Sequence, residues 1–409
     1  VPIVPTATLA TLAQTQRDEI FTDVWELVRD RYVYTDYRGV DWNTVRAEFA
    51  PRVKVAATPE EFYALMEEMI ERLGDEHSRF ISPRDVEAEQ DRFEGDLTYV
   101  GIGAIIRTVD DGGLITQVAE GAPAYEAGLR PRDLILEING TPFIDTTAFG
   151  PGGPISAVRG VPNTSVRLLV RSPGQSPREV AVTRRAIPSE AFPSVKAQRL
   201  PGTNVGLLTI GTFYRDGLDQ AVRQRLEELA QAGPLDGLIV DVRDNGGGRV
   251  DLMLNTIGLF VDGGSIGSSI GRDRSDELTV PSGKTIPQFA NVPIVVLTSP
   301  DTVSAAEMFS AGMQTLNRAR IVGVNSAGNT ENLLPHTLPD GSRLWLAELT
   351  FRLPDGSQIE GRGVQPDRGV DVEWWRYEPD ADPQIQAAIE ELRGKEREQG
   401  TGNREQGRG

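Results

Sequence analysis

The stretch Leu238-Ile239-Val240-Asp241-Val242-Arg243-Asp244-Asn245-Gly246-Gly247-Gly248 decides the fold. With Gly237 before it, its first half is a continuous apolar run, the mark of a strand buried on both faces. Asn245 and the three glycines break that strand, and a helix follows through Leu259. The same unit returns as Pro293-Ile294-Val295-Val296-Leu297-Thr298, a loop, and a helix beginning near Ser304. Upstream, Val205 to Ile210 reads as a strand and Gly217 to Ala232 as an amphipathic helix. Such alternation predicts an α/β layer structure after Ile187.

Moving toward the N-terminus, the pattern changes at about Leu97. Short strands punctuated by glycine run from Tyr99-Val100-Gly101-Ile102-Gly103-Ala104-Ile105 through Leu114 to Val118. Ala122-Pro123-Ala124 opens a short helix reaching Gly128-Leu129, and Asp133 to Ile138 is a strand ending in the Asn139-Gly140 turn. Strands at Ser165 to Arg171 and Glu179 to Arg184 close the block. The first ninety-odd residues read as helical. Phe21, Val24, Leu27 and Val28 share one face, and Thr58-Pro59-Glu60-Glu61 supplies an N-cap, a proline at the first helical position and a capping-box glutamate. Phe62, Leu65, Met66, Met69 and Leu73 follow at helical spacing, and Gly74 is the C′ terminator. His77 thus falls just beyond a helix end. From about Gly394 the chain is charged and nearly free of apolar residues, so disorder is expected there.

Composition excludes several classes. The 60 acidic residues exceed the 42 basic ones, a formal charge of −18. A nucleic-acid surface needs clustered positive charge, and anionic lipid is disfavoured for the same reason. There is no cysteine, which removes disulfides and thiolate chemistry. His77 and His336 are the whole histidine complement, so a multi-histidine metal site is not expected. No apolar run approaches the length of a membrane span, and Val1 to Gln14 lacks the pattern of a signal peptide.

These motifs together resemble the C-terminal processing (tail-specific) serine peptidases, from roughly residue 20 to residue 372. The glycine-punctuated block looks like a PDZ domain, in the circularly permuted arrangement of bacterial proteases. Tyr99, Val100, Gly101, Ile102 and Gly103 match its peptide-binding loop, where backbone N–H groups meet a C-terminal carboxylate and a strand edge pairs with the peptide. Leu238 to Gly248 resembles the family's oxyanion strand and loop. Thr302-Val303-Ser304-Ala305-Ala306-Glu307 resembles its nucleophile segment, and Glu360-Gly361-Arg362-Gly363-Val364-Gln365-Pro366-Asp367 fits its ending. The fold implied is multidomain α+β. An N-terminal helical domain spans 1–95, a PDZ domain 96–187 and an α/β peptidase core of the ClpP/crotonase kind 188–378. A C-terminal helix and disordered tail occupy 379–409.

The resemblance makes Ser304 the nucleophile, with Gly247 and Ala305 N–H groups as the oxyanion hole. On its own, a serine before a helix is equally an inert N-cap. The family's lysine base is missing, because Asn329 stands at its position and an amide cannot take up a proton. Thr315 stands at the supporting aspartate, and Lys54, Lys196, Lys284 and Lys395 offer no substitute. Relatives of the tricorn type use a histidine instead, and the matching residue is His77, with Glu360 as its orienting carboxylate. Glu76, Glu307 and Glu331 are alternatives to Glu360, and His336 is the rival base on what reads as a strand edge. Three readings stay open: a cofactor-free serine endopeptidase that captures unfolded or exposed C-termini, an inactive binding protein on the same scaffold, and a PDZ-based regulator. The resemblance implies export to a periplasm or cell surface.

Overall fold

The structure is a computed structural model in which residues 12–75, 77–86, 99–150 and 152–405 are described. It divides into two compact units that do not follow the chain in simple order. The first combines the described residues up to Val86 with Gly267–Leu278 and Thr330–Glu360. The second holds Tyr99–Ile266, Thr279–Asn329 and the residues from Gly361 onward.

In the first unit, helices Gln14–Arg31, Trp42–Val55 and Pro59–Glu71 form because apolar residues recur on one face of each. Phe21, Val24, Val28, Phe49, Phe62, Met66 and Met69 are buried together. Thr58 Oγ1 accepts from Glu61 N–H, the cap expected from sequence. The Glu61 carboxylate reaches Ala57 N–H rather than Thr58 N–H, so the box closes one residue early. Gly74 has φ +64°, a left-handed terminator that any side chain would strain. Against the helices lies a sheet built on the long strand Arg343–Arg352, which pairs with Arg79–Ile81, with Asn332–Thr337 and with Ser268–Ile270. Leu344, Leu346 and Ala347 enter the helical core. Within the stretch expected as the peptidase core, 188–378, the segments 267–278 and 330–360 group with the N-terminal helices, because strand pairing ignores the linear order.

The second unit contains two sheets of its own. One is six-stranded, in the order Val195–Arg199, Val205–Ile210, Gly237–Asp241, Ile294–Thr298, Ala319–Gly323 and Arg368–Gly369. All neighbours after the first pair are parallel. Ile239, Val295, Leu297 and Val322 pack beneath Ile385, Ala388, Ile389 and Leu392 of the helix Pro383–Glu405. That helix continues across Gly394, where the sequence pattern predicts disorder. The glutamates, arginines and glutamine that follow Gly394 are strong helix formers, so polarity alone does not end the helix.

The other sheet runs Ala104–Val109, Gly112–Val118, Leu134–Ile138, Ser165–Arg171 and Arg178–Thr183. Asn139 and Gly140 have φ of 53° and 85° and join Leu134–Ile138 to Thr141–Pro142 as a two-residue hairpin. The single strand expected over Tyr99–Ile105 is two strands. Tyr99–Gly101 pairs with Arg185–Ile187, while Ala104–Val109 is the outer strand of the larger sheet. The break falls at Gly103, which has φ +78°. A Cβ on that residue would lie 2.2 Å from Ala122 Cβ, so the position admits only glycine.

Candidate active site

Parallel strands put their C-terminal loops on one side of the sheet, so neighbouring strands bring neighbouring loops together. Gly237–Asp241, Ile294–Thr298 and Ala319–Gly323 are consecutive parallel neighbours. Their loops carry Asn245–Gly248, Thr302–Ser304 and Ser326–Asn329. Backbone bonds join them: Val303 N–H donates to Asn245 C=O at 3.0 Å, Ala327 N–H to Thr302 C=O at 3.0 Å, and Ser304 N–H to Asn329 C=O at 2.9 Å.

Ser304 precedes the helix Ala305–Thr315 with φ 56° and ψ −121°, a strained conformation for a residue with a side chain. An inert N-cap would accept a bond from the helix backbone, yet the Ser304 side chain makes no capping hydrogen bond. The backbone around it is held by Glu307, fully buried in the first turn. Glu307 accepts from Ser304 N–H at 2.9 Å, Ser326 Oγ at 2.7 Å, Gly328 N–H at 2.6 Å and Asn329 N–H at 2.9 Å. Burial pushes its carboxyl above the usual range, and these four donors pull the other way without cancelling it. Glu307 is thus spent on the loops around Ser304.

Gly247 has φ +95°, and a Cβ there would lie 2.7 Å from Ser304 Cβ, so only glycine lets this loop meet the serine. Its N–H donates to Asn245 Oδ1 at 2.9 Å, so one of the two expected oxyanion donors is occupied by a side chain. Ala305 N–H, at the first helical position, has no partner within its helix. Asn329 uses only its backbone, and its buried Oδ1 has no hydrogen-bond partner.

In the other unit, Asp75 folds the chain after Gly74 by accepting from the N–H groups of His77 and Ser78. His77 Nε2 lies 2.8 Å from Glu331 Oε2. The other Glu331 oxygen accepts from Tyr34 Oη at 2.7 Å, with Arg38 at 3.8 Å. Burial is the largest influence on His77 and disfavours its charged form, but the Glu331 hydrogen bond and charge, with Glu360 and Asp75, outweigh it and raise its pKa. Glu331 is lowered despite burial, because His77, Tyr34 and Arg38 favour its anion. Glu360 accepts from Thr330 N–H at 2.6 Å and Thr330 Oγ1 at 3.0 Å, and burial and the Glu331 charge raise its pKa.

Glu360 is therefore corrected as the residue bonded to His77: Glu331 makes that contact, because Thr330 holds Glu360. His77, Glu331 and Glu360 each bring a donor atom within 4.8 Å of the others. Two ligands of a tetrahedral zinc ion would stand about 3.3 Å apart at bond lengths of about 2.0–2.1 Å. The 2.8 Å contact is tighter, which fits a hydrogen-bonded histidine better. His336 pairs with Glu348 at 2.5 Å on the strand Asn332–Thr337, as an edge residue would. Glu76 lies outside the described residues. Sequence reading missed Tyr34, Arg38 and Ser326; the first two sit in a tyrosine-rich turn with no motif to mark them.

Known proteins resemble the chain in sequence and fold. The family model described as peptidase family S41 matches residues 204–370, the tricorn protease C1 domain matches 13–71, and a PDZ domain matches 114–172. A carboxyl-terminal-processing protease of Synechocystis sp. is 28% identical over 391 residues, covering 95% of this chain and 89% of its own. Among solved structures, the photosystem II D1 C-terminal processing protease aligns with TM-score 0.62 at 24% identity, over 88% of this chain and 94% of that one. The tricorn protease aligns with TM-score 0.52 at 19% identity, over 93% of this chain and 37% of that much longer one.

Proposed function

We propose that the chain is a serine endopeptidase of the kind its matches to peptidase family S41 and to a PDZ domain indicate, with Ser304 as the nucleophile and His77 its base. The observation that carries the reading is Ser304 itself. A strained serine, free of its cap bond and packed against a glycine at the meeting of three loops, is what an activated nucleophile needs and an N-cap does not. His77 is supported by its carboxylate at 2.8 Å: a proton kept on Nε2 toward Glu331 would leave the ring's lone pair on Nδ1.

In this mechanism Ser304 Oγ attacks the peptide carbonyl carbon while its proton passes to His77. The carbonyl oxygen becomes an oxyanion facing Ala305 N–H. Gly247 N–H joins once the Asn245 carboxamide releases it. Each such donor is worth about 2.7–4 kcal/mol to the transition state. The imidazolium, stabilised by Glu331, then protonates the leaving amine. Water attacks the acyl-enzyme with His77 again as base, restoring Ser304. The PDZ domain would hold unfolded polypeptides by their C-termini, since Ala104–Val109 is an outer strand with an edge to offer. The chemistry calls for no cofactor. We place the protein outside the cytosol, in a periplasm or at the cell surface, on family grounds; cell fractionation tests this. Among the described residues no helix is long and apolar enough to cross a membrane.

The test is cleavage of an unstructured protein such as casein. Wild type is expected to cut, Ser304→Ala to abolish cutting, and His77→Ala to lower kcat on the order of 10²–10⁴-fold. A wild type inert toward every unfolded substrate would instead make the chain a binding protein. Undiminished cutting by His77→Ala would remove the histidine from the mechanism.

A further inference from the structure

Arg107 lies on Ala104–Val109, the outer strand of the PDZ sheet. Its guanidinium does not stay with that sheet. Nη2 is 3.1 Å from Asp244 Oδ1 and Nη1 is 2.5 Å from Asp301 Oδ2. Asp244 precedes Asn245 and stands three residues before Gly247; Asp301 stands three residues before Ser304. One guanidinium is therefore hydrogen-bonded to Asp301 and ion-paired with Asp244, at the same distance in sequence from Ser304 and Gly247.

We propose that Arg107 is a positioning residue of the peptidase, clamping the Asp244–Gly248 and Asp301–Ser304 loops in register so that Gly247 and Ser304 stay apposed. The inference rests on the reading of Ser304 as nucleophile. Two planar N–H groups suit two carboxylates on separate loops, which a lysine's single ammonium matches poorly. The loops carry their own stitching, from Ser299 Oγ to Arg243 C=O at 2.6 Å and from Thr302 Oγ1 to Val242 C=O at 2.9 Å. Val303 N–H to Asn245 C=O and Phe213 N–H to Gly247 C=O add further backbone ties near the turn. Arg107 adds to these a charged tie from a third segment, the PDZ strand Ala104–Val109.

Charge explains why the clamp matters. Burial pushes the Asp244 carboxyl up to about 6, Arg107 pulls against this, and Asp241 and Asp301 add repulsion that Arg243 only partly offsets. Without Arg107 the Asp244 carboxyl would rise further and hold its proton, and the two loops would lose the cation that joins them. Arg107→Ala thus removes an attraction at the site's edge.

The experiment compares wild type, Arg107→Ala, Arg107→Lys, Asp244→Asn with Asp301→Asn, and the triple variant. Hydrogen–deuterium exchange is read over 242–249 and 299–305, with the PDZ strand Gly112–Val118 as the folding control. Arg107→Ala should exchange at least 5-fold faster in both loops while the control strand is unchanged. On a quenched peptide with an amidated C-terminus, its kcat should fall at least 10-fold with KM within 2-fold. Arg107→Lys should recover part of kcat, and the triple variant should be no worse than Arg107→Ala. Unchanged loop exchange overturns the clamp whether or not the protein cuts peptides. A defect confined to KM for peptides with a free C-terminus also overturns it, because Arg107 would then serve capture alone. A wild type that does not cut, or whose cutting survives Ser304→Ala, defeats the reading of the site and leaves loop exchange to decide the clamp.

Discussion

Ser304 is held by main chain and His77 by side chains. Around Ser304, backbone groups from three parallel loops bond to one another and to the buried Glu307. Around His77, side chains from a helix end, a tyrosine turn and the chain after Asn329 meet at Glu331. A backbone frame tolerates little change in the residue that satisfies it, since every orphaned N–H has a fixed position. A side-chain frame can rotate into new partners. The first half should therefore break on substitution, while the second should bend.

The largest expected effect follows at Glu307. Glu307→Gln turns one acceptor oxygen into a donor facing N–H and O–H groups, in a place without solvent. Each buried donor left unmatched costs about 1–3 kcal/mol, so the variant should lose about 3 kcal/mol in urea unfolding. Its kcat should also fall, because Ser304 N–H and the Asn329 loop lose their common anchor. Glu331→Gln should lose less stability, since Tyr34 Oη and a neutral imidazole can each reverse a bond. A larger loss for Glu331→Gln than for Glu307→Gln would erase the contrast.

The next effect sharpens the histidine half through pH. His77 must be neutral to act as base, and its pKa lies above the ordinary 6.5. Activity should therefore rise with pH through an acid limb above 6.5. Removing the Glu331 charge leaves burial less opposed, so the His77 pKa falls and the limb moves to lower pH in Glu331→Gln. kcat should drop at the same time, on the order of 10-fold, as the imidazolium loses its partner. Glu360→Gln should move the limb the same way but less, since Glu360 acts on His77 by charge across a gap while bound to Thr330. The measurement is kcat/KM across pH 5–9 on one quenched peptide. A limb that stays put in Glu331→Gln, or moves farther in Glu360→Gln, would return the orienting role to Glu360.

The same contrast governs what could be read from sequence. The parallel core was legible because Leu238–Val242 and Ile294–Thr298 are apolar almost throughout and end in loops broken by glycine or leading into a helix. Ser304 and Gly247 could be named only through the resemblance of those loops to the C-terminal processing peptidases, since a serine before a helix is equally an N-cap. Glu331 could be named but not chosen over Glu360, since both are glutamates in loops and the choice depends on which one Thr330 occupies. The strand pairing that sends 330–360 to the helical unit was equally hidden. It depends on partners 250 and more residues apart, as in Phe80 opposite Leu344. Local pattern reports a strand's face, not its neighbour.

Asn329 sets the smallest effect and the sharpest check on the backbone half. The resemblance to the processing peptidases puts a lysine at this position, so a side-chain reading would give it a catalytic vacancy to explain. The contacts say otherwise: its C=O receives Ser304 N–H, its N–H donates to Glu307, and its Oδ1 bonds to nothing. Alanine preserves both backbone bonds and removes an unsatisfied buried oxygen. Asn329→Ala should therefore keep kcat within about 3-fold and unfolding free energy within about 1 kcal/mol of wild type, a lost neutral side-chain bond being worth about that much where one exists. Steady-state cleavage and urea titration on the same preparation read both. A 100-fold loss of kcat with stability intact would mean the carboxamide itself handles the substrate or the proton, and the frame around Ser304 would no longer be main chain alone.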